Sequence, residues 1–182
     1  MTGVQTCALP IFKGMSFRNR IYNLANSQFI IHVLNSSIVL KSVFPKHHTV
    51  EFVPGGGSVA NKRAFLGSTK IKLKIKPDEK NIVLISSIEH SSISKYMINE
   101  LTDRGYTIII VPVTKDGVIN IKSYEKLVIE NKDRLVYVSC MLVNNEIGTI
   151  QPIEEIGNIC LQNGIIFHTD ATQYVGKLPL DV

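Results

Sequence analysis

No run of apolar residues in this chain approaches the roughly 18 to 20 that a bilayer crossing needs; the longest, such as Tyr106 to Val113, are the length of a strand. No membrane partner is expected. Cysteine is scarce: Cys7, Cys140 and Cys160 are odd in number and have no metal-ligand spacing, so no metal site is expected, and the usage suits a reducing compartment. Aromatic residues are not interleaved with the basic ones. The formal net charge of +5 comes from scattered lysines with a local cluster from Lys70 to Lys80, which reads as a solvated basic loop and not as a nucleic-acid surface. Internal repeats, low-complexity tracts, a secretory signal and an Arg-rich transit pattern are all missing.

What remains is a chain of 182 residues, 45% apolar, enough for one α/β domain or a piece of one. Met1 to Phe12 resembles translated sequencing-adapter read-through more than a domain start. Residues 1–12 are therefore read as a non-native leader and 13–182 as a partial domain. Apolar residues from Asn26 to Lys41 recur at helical spacing, and Thr49 to Val53 reads as a short strand. Pro54 and Gly55-Gly56-Gly57 make a turn, and Ser58 is positioned to cap a helix running to about Gly67. Ser68 to Lys80 reads as loop.

Beyond the loop the alternation is regular. Strands are expected at Ile82–Ser86, Tyr106–Val113, Leu135–Met141 and Ile165–His168, and helices at Ser91–Arg104, Ser123–Asn131 and Ile153–Gln162. Strands separated by helical connections imply a mainly parallel sheet with helices on both faces.

In such sheets ligands bind beyond the carboxyl ends of the strands. Four unusual clusters fall there: Gly55-Gly56-Gly57-Ser58, Glu89-His90, Asn144-Asn145-Glu146, and Asp170 with Gln173. The glycine turn opening a helix suits a phosphate, because backbone amides and the helix dipole favour an anion. It is neither a Walker loop nor a dinucleotide fingerprint. His90 is placed to stack on a flat ring or move protons. Asp170, just past a buried-looking strand, calls for a cation or hydrogen-bond donors. Each cluster also has a plain structural reading: a tight capping turn for the glycines, a capping or surface role for His90, a turn cap for Asp170, and a polar turn with Asn145 bonding locally. Their convergence on one sheet edge supplies the phosphate cradle, ring-stacking group, neutral amide and acid that pyridoxal phosphate needs.

The runs Ser87-Ile88-Glu89-His90, Val143 to Ile153 with Asn144-Asn145-Glu146-Ile147-Gly148 at its heart, and His168-Thr169-Asp170-Ala171-Thr172-Gln173 resemble cysteine desulfurases of the class V aminotransferase group. Gly176 to Val182 is similar as well, and the likeness is to the bacterial and mitochondrial type. The resemblance implies the large domain of a fold-type I enzyme dependent on pyridoxal 5'-phosphate. It implies that Gly57 and Ser58 hold the phosphate, that His90 stacks on the ring and assists proton transfer, and that Asn145 and Gln173 bond the ring hydroxyl oxygen. Asp170 pairs with the pyridinium nitrogen on the same reading. Where the family has Gly-Gly-Thr-Glu-Ser-Asn-Asn, this chain has Gly56-Gly57-Ser58-Val59-Ala60-Asn61-Lys62, which keeps the hydroxyl and loses the glutamate.

The implied reaction converts L-cysteine to L-alanine and leaves a persulfide on a mobile-loop cysteine, for iron–sulfur scaffold proteins or tRNA thiolation. A homodimer and a cytoplasmic or mitochondrial setting go with it. The family's cofactor-anchoring lysine and persulfide cysteine lie past the position of Val182, so the chain as given is expected to be inactive. Cys140 and Cys160 read as buried packing residues. The rival readings are another class V enzyme, such as a selenocysteine lyase or an aminotransferase, and a non-catalytic interaction protein on a decayed enzyme fold.

Overall fold

The computed structural model describes residues 56–68, 71–76 and 79–174. The helix and strand expected from Asn26 to Val53 lie outside the described residues. Helix α1 (Gly56–Leu66) leads through a loop to strand β1 (Ile82–Ser86). A π-helical stretch, Ser92–Met97, then runs directly into α2 (Ile98–Asp103). Strand β2 (Thr107–Val111), α3 (Ile121–Asn131), β3 (Leu135–Ser139), α4 (Ile153–Gln162) and β4 (Ile166–His168) follow.

The four strands form one parallel sheet in the order β2-β1-β3-β4. Every residue of β1 and β3 is buried, as expected of central parallel strands covered on both faces. In β2 only Val111 is fully buried, in keeping with its place at the sheet edge among the described strands. Between β1 and β3 the register shifts so that Val136 is an extra residue opposite the step from Ile82 to Val83. On one face Phe65 of α1 and Ile93, Met97 and Leu101 of the π/α2 segment pack on Val83, Ile85 and Tyr137. On the other, Tyr124 and Val128 of α3 and Ile156 and Cys160 of α4 pack on Leu84, Leu135 and Val138.

Strands β2, β3 and β4 are each shorter than the sequence expectation, and three helix starts differ from it, each for a local reason. Helix α1 begins at Gly56, whose φ of 79° only glycine adopts freely, so Ser58 lies in the first turn and is not the cap. Helix α3 begins two residues early because Asn120 is its cap, accepting the Ser123 N–H at 3.0 Å. The expected α-helix from Ser91 opens as a π-helix, the widened turn that often accompanies functional sites. The described part of the 68–80 loop has neither helix nor strand. It is anchored by buried Ile71 and by the Lys72 N–H donating to the Tyr106 hydroxyl at 2.7 Å, while Lys72, Lys74, Lys76 and Lys80 are exposed.

The ends of β1 and β3 are clipped by a buried carboxyl. Glu89 Oε1 accepts from the Ser86 hydroxyl at 2.9 Å and from the Met141 N–H at 2.7 Å, while its Oε2 has no hydrogen-bond partner. Burial first, and the nearby carboxylate of Asp170 second among the raising causes, push the Glu89 pKa from 4.5 up to about 8, against the lowering effect of its donors. At neutral pH it is therefore an uncharged acid. The folded protein holds a proton that the unfolded chain gives up near pH 4.5, so stability is fully present below that value and is lost as pH rises toward about 8. Urea unfolding across that range should show stability falling with pH in the wild type, and a flatter profile for Glu89→Gln. A slope unchanged by that substitution would refute the assignment.

Both described cysteines are packing residues. Cys160 Sγ lies 2.9 Å from the Tyr124 hydroxyl, and burial raises its pKa to about 11 and that of Cys140 well above the ordinary thiol value. In a Cys7→Ser background, Ellman's reagent should titrate neither thiol in the native protein and both after denaturation.

Candidate active site

The strand order creates a crevice. The chain leaves β1 for the π/α2 segment on one face and leaves β3 for α4 on the other, so the loops after these neighbouring strands part at their carboxyl ends. This is the topological switch point at which open α/β sheets bind ligands. Glu89 and His90 follow β1, and Asn144, Asn145 and Glu146 follow β3.

Hydrogen bonds lace the surrounding loops into one edge. Asn144 Nδ2 donates to the Ile88 carbonyl at 2.7 Å, joining the two parting loops, and its Oδ1 accepts from the amides of Glu146 and Ile147, each at 2.9 Å. Asn144 therefore performs the local turn bonding that sequence reasoning gave to Asn145, whose side chain stands exposed. Gln151, buried, braces the neighbouring turn by accepting from the Ile119 N–H at 2.9 Å and donating to the Gly117 carbonyl at 2.7 Å. The Leu142 N–H donates to the Asp170 carbonyl at 3.0 Å, holding the segment after β4 against that after β3.

Asp170 is 5% exposed. Its Oδ2 accepts from Asn61 Nδ2 at 2.8 Å and its Oδ1 from the Thr172 N–H at 3.0 Å. Among the described residues it enters no ion pair. Asn61 belongs to α1, little more than one turn from Gly56 and Gly57, so this bond brings the opening of α1 to the carboxyl end of β4. The same Asn61 nitrogen donates to Ser92 Oγ at 3.0 Å, and Ser92 Oγ lies 2.9 Å from His90 Nδ1.

The site residues expected from the sequence fall as follows. Gly57, half-buried, and Ser58, exposed, occupy the first turn of α1, which carries no acidic residue to repel an anion. His90 is half-buried between β1 and the π-helix, and Asp170 is linked to it through Asn61 and Ser92. Gln173, half-buried, lies three residues beyond Asp170. Sequence reasoning placed Glu89 and Asn144 at this edge without giving either a role, and it missed Asn61 and Ser92. For Asn61 and Ser92 the only sequence signal was a polar residue on a helical face otherwise apolar, next to Ala60, Ala64 and Phe65 in one case and Ile93 in the other.

Chemically, the edge offers amides at a helix start, an imidazole, a solvent-facing amide, and a buried carboxylate whose donors leave it without a cationic partner among the described residues. A ring bearing a phosphate at one end and a protonated nitrogen at the other fits that donor set.

Residues 44–182 match the family model described as aminotransferase class-V. The chain is 39% identical over 127 residues to a mitochondrial cysteine desulfurase of Candida maltosa, covering 70% of this chain and 25% of the relative. It is 34% identical over 131 residues to the cysteine desulfurase IscS of Clostridium botulinum, covering 72% and 31%. It thus spans about a quarter to a third of the length of these relatives. Among solved structures, a NifS-like protein superposes with a TM-score of 0.52 at 33% identity, over 58% of this chain and 28% of that one. SspA in complex with cysteine superposes with the same TM-score at 31% identity, over 69% and 31%. With a parallel α/β sheet, polar clusters at its carboxyl edge and a family match over most of its length, this chain belongs to the class-V aminotransferase family.

Proposed function

We propose that this chain is the cofactor-binding part of a cysteine desulfurase that uses pyridoxal 5'-phosphate to convert L-cysteine to L-alanine and passes the sulfur on as a persulfide. The observation that carries the reading is Asp170: a carboxylate 5% exposed, aimed by Asn61 and Thr172, with no cation among the described residues. A buried carboxylate is costly unless paired, and a protonated pyridine nitrogen is the pairing partner that this cofactor brings. The names of the Candida and Clostridium relatives support the choice of reaction.

In this reading Gly57 and Ser58 receive the phosphate at the start of α1, where the absence of a Cβ at position 57 admits the anion to the backbone. His90 covers one face of the ring and holds a proton at its ring nitrogen for transfer. Asn145 and Gln173 donate to the ring hydroxyl oxygen, and Asp170 keeps the ring nitrogen protonated. Bound pyridoxal phosphate supplies an electron sink next to the substrate's α-carbon. L-cysteine is the substrate, a second copy of the protein and a sulfur acceptor such as an iron–sulfur scaffold or a tRNA-thiolating enzyme are the partners, and the cytoplasm or the mitochondrion is the setting.

Pyridoxine 5'-phosphate, which keeps the ring nitrogen, hydroxyl and phosphate but lacks the aldehyde that would react with surface lysines, tests the site by titration calorimetry. The wild-type chain should bind it with one-to-one stoichiometry. Asp170→Asn should weaken binding by about tenfold or more, equivalent to about 1.4 kcal/mol, and Ser58→Ala by a smaller factor. Absence of binding by folded wild-type chain, or binding indifferent to Asp170→Asn, would overturn the cofactor assignment.

A further inference from the structure

The hydrogen bonds between Asp170 and His90 have a direction that their chemistry determines. An ionised carboxylate only accepts, so the atom of Asn61 that meets Asp170 Oδ2 at 2.8 Å is its NH₂ nitrogen. That nitrogen has two protons, and the second goes to Ser92 Oγ at 3.0 Å. Ser92 Oγ is therefore an acceptor toward Asn61, and its own hydroxyl proton is left for His90 Nδ1, 2.9 Å away. The Ser92 backbone N–H also donates to His90 Nδ1, at 3.2 Å. A ring nitrogen that receives two donors carries no proton itself, which puts the proton of the neutral imidazole on Nε2.

We propose that Asn61 and Ser92 form a one-way donor relay in which a single amide aims the Asp170 carboxylate and, through the Ser92 hydroxyl, fixes His90 in the Nε2–H tautomer. Both are positioning residues: neither needs to touch a ligand, and each acts on a group at the carboxyl edge of the sheet. Asn61 and Ser92 are each 5% exposed, so solvent does not compete for these bonds, and both stand on helical elements that pack against one another. Ser92 opens the π-helical stretch, and both its N–H and its hydroxyl meet the imidazole of the residue two positions before it. The functional weight of the relay rests on the proposed roles of His90 and Asp170 toward a pyridine ring, whereas its existence does not.

Nitrogen-15 correlation spectra of the histidine side chains in mildly alkaline buffer read the tautomer directly, with the His90 signals assigned by their loss in His90→Gln. In the wild type Nδ1 should resonate as an unprotonated nitrogen and Nε2 as a protonated one. Ser92→Ala, which keeps the backbone donor and removes the hydroxyl, should move His90 toward a tautomer mixture. Ser92→Thr should restore the wild-type pattern, and the signals of buried His168 should stay in place throughout as the control for folding. Asn61→Ala should disturb the His90 tautomer and also weaken pyridoxine 5'-phosphate binding severalfold. An Nδ1–H tautomer in the wild type, or a pattern untouched by Ser92→Ala and Asn61→Ala, would overturn the relay even if the ligand binds. Tautomer changes as described in a chain that fails to bind the ligand would uphold the relay and sink the cofactor reading alone.

Discussion

Asn61 donates two hydrogen bonds from one nitrogen, and the carboxyl edge of the sheet is organised around that fact. Polar groups withdrawn from water must find partners or forfeit their hydration, at a cost of about 1–3 kcal/mol for each unmet donor or acceptor. At this edge the partners come from different loops. The amide of α1 reaches the segment after β4 and the start of the π-helix, Asn144 reaches back to the loop after β1, and Glu89 reaches the chain after β3. Removing one such group leaves a neighbour unpaired in a second loop, so the edge behaves as one unit and not as four turns.

The two buried acids illustrate how one edge sets two carboxyl groups to different tasks. Glu89 has an oxygen with no partner and is pushed toward its neutral form by burial, and the nearness of Asp170 adds to that push. An uncharged Glu89 spares Asp170 a second negative charge beside it. In the proposed site that division would leave Asp170 as the acid available to a positively charged ring.

Much of the architecture was legible in the sequence because it rests on local pattern. The continuous apolar runs of β1 and β3 and the helix Ile153–Gln162 sit where the sequence pattern put them. Asp170, His90 and the glycine run were singled out because they depart from that pattern. The rest was hidden for a physical reason. Helix α3 starts ahead of Ser123 because the Asn120 side-chain oxygen accepts the Ser123 amide, and no periodicity reports that. Asn144 and Asn145 are indistinguishable as letters, yet only the first faces the β1 loop. The relay of Asn61 and Ser92 joins residues far apart in the chain, and single-sequence reasoning has no access to such pairings.

The separation between Asn61 and Asp170 is 109 residues, and their bond closes a loop that encloses every described strand. Loop closure costs entropy that grows with the logarithm of length, and contacts of this span are the slow ones to gain during folding. The carboxyl edge of the sheet is thus also the seam that ties α1 to the segment after β4. A ligand gripping both α1 and Asp170 would act as a removable cross-link, and its occupancy would set how tightly α1 and the segment after β4 are held together.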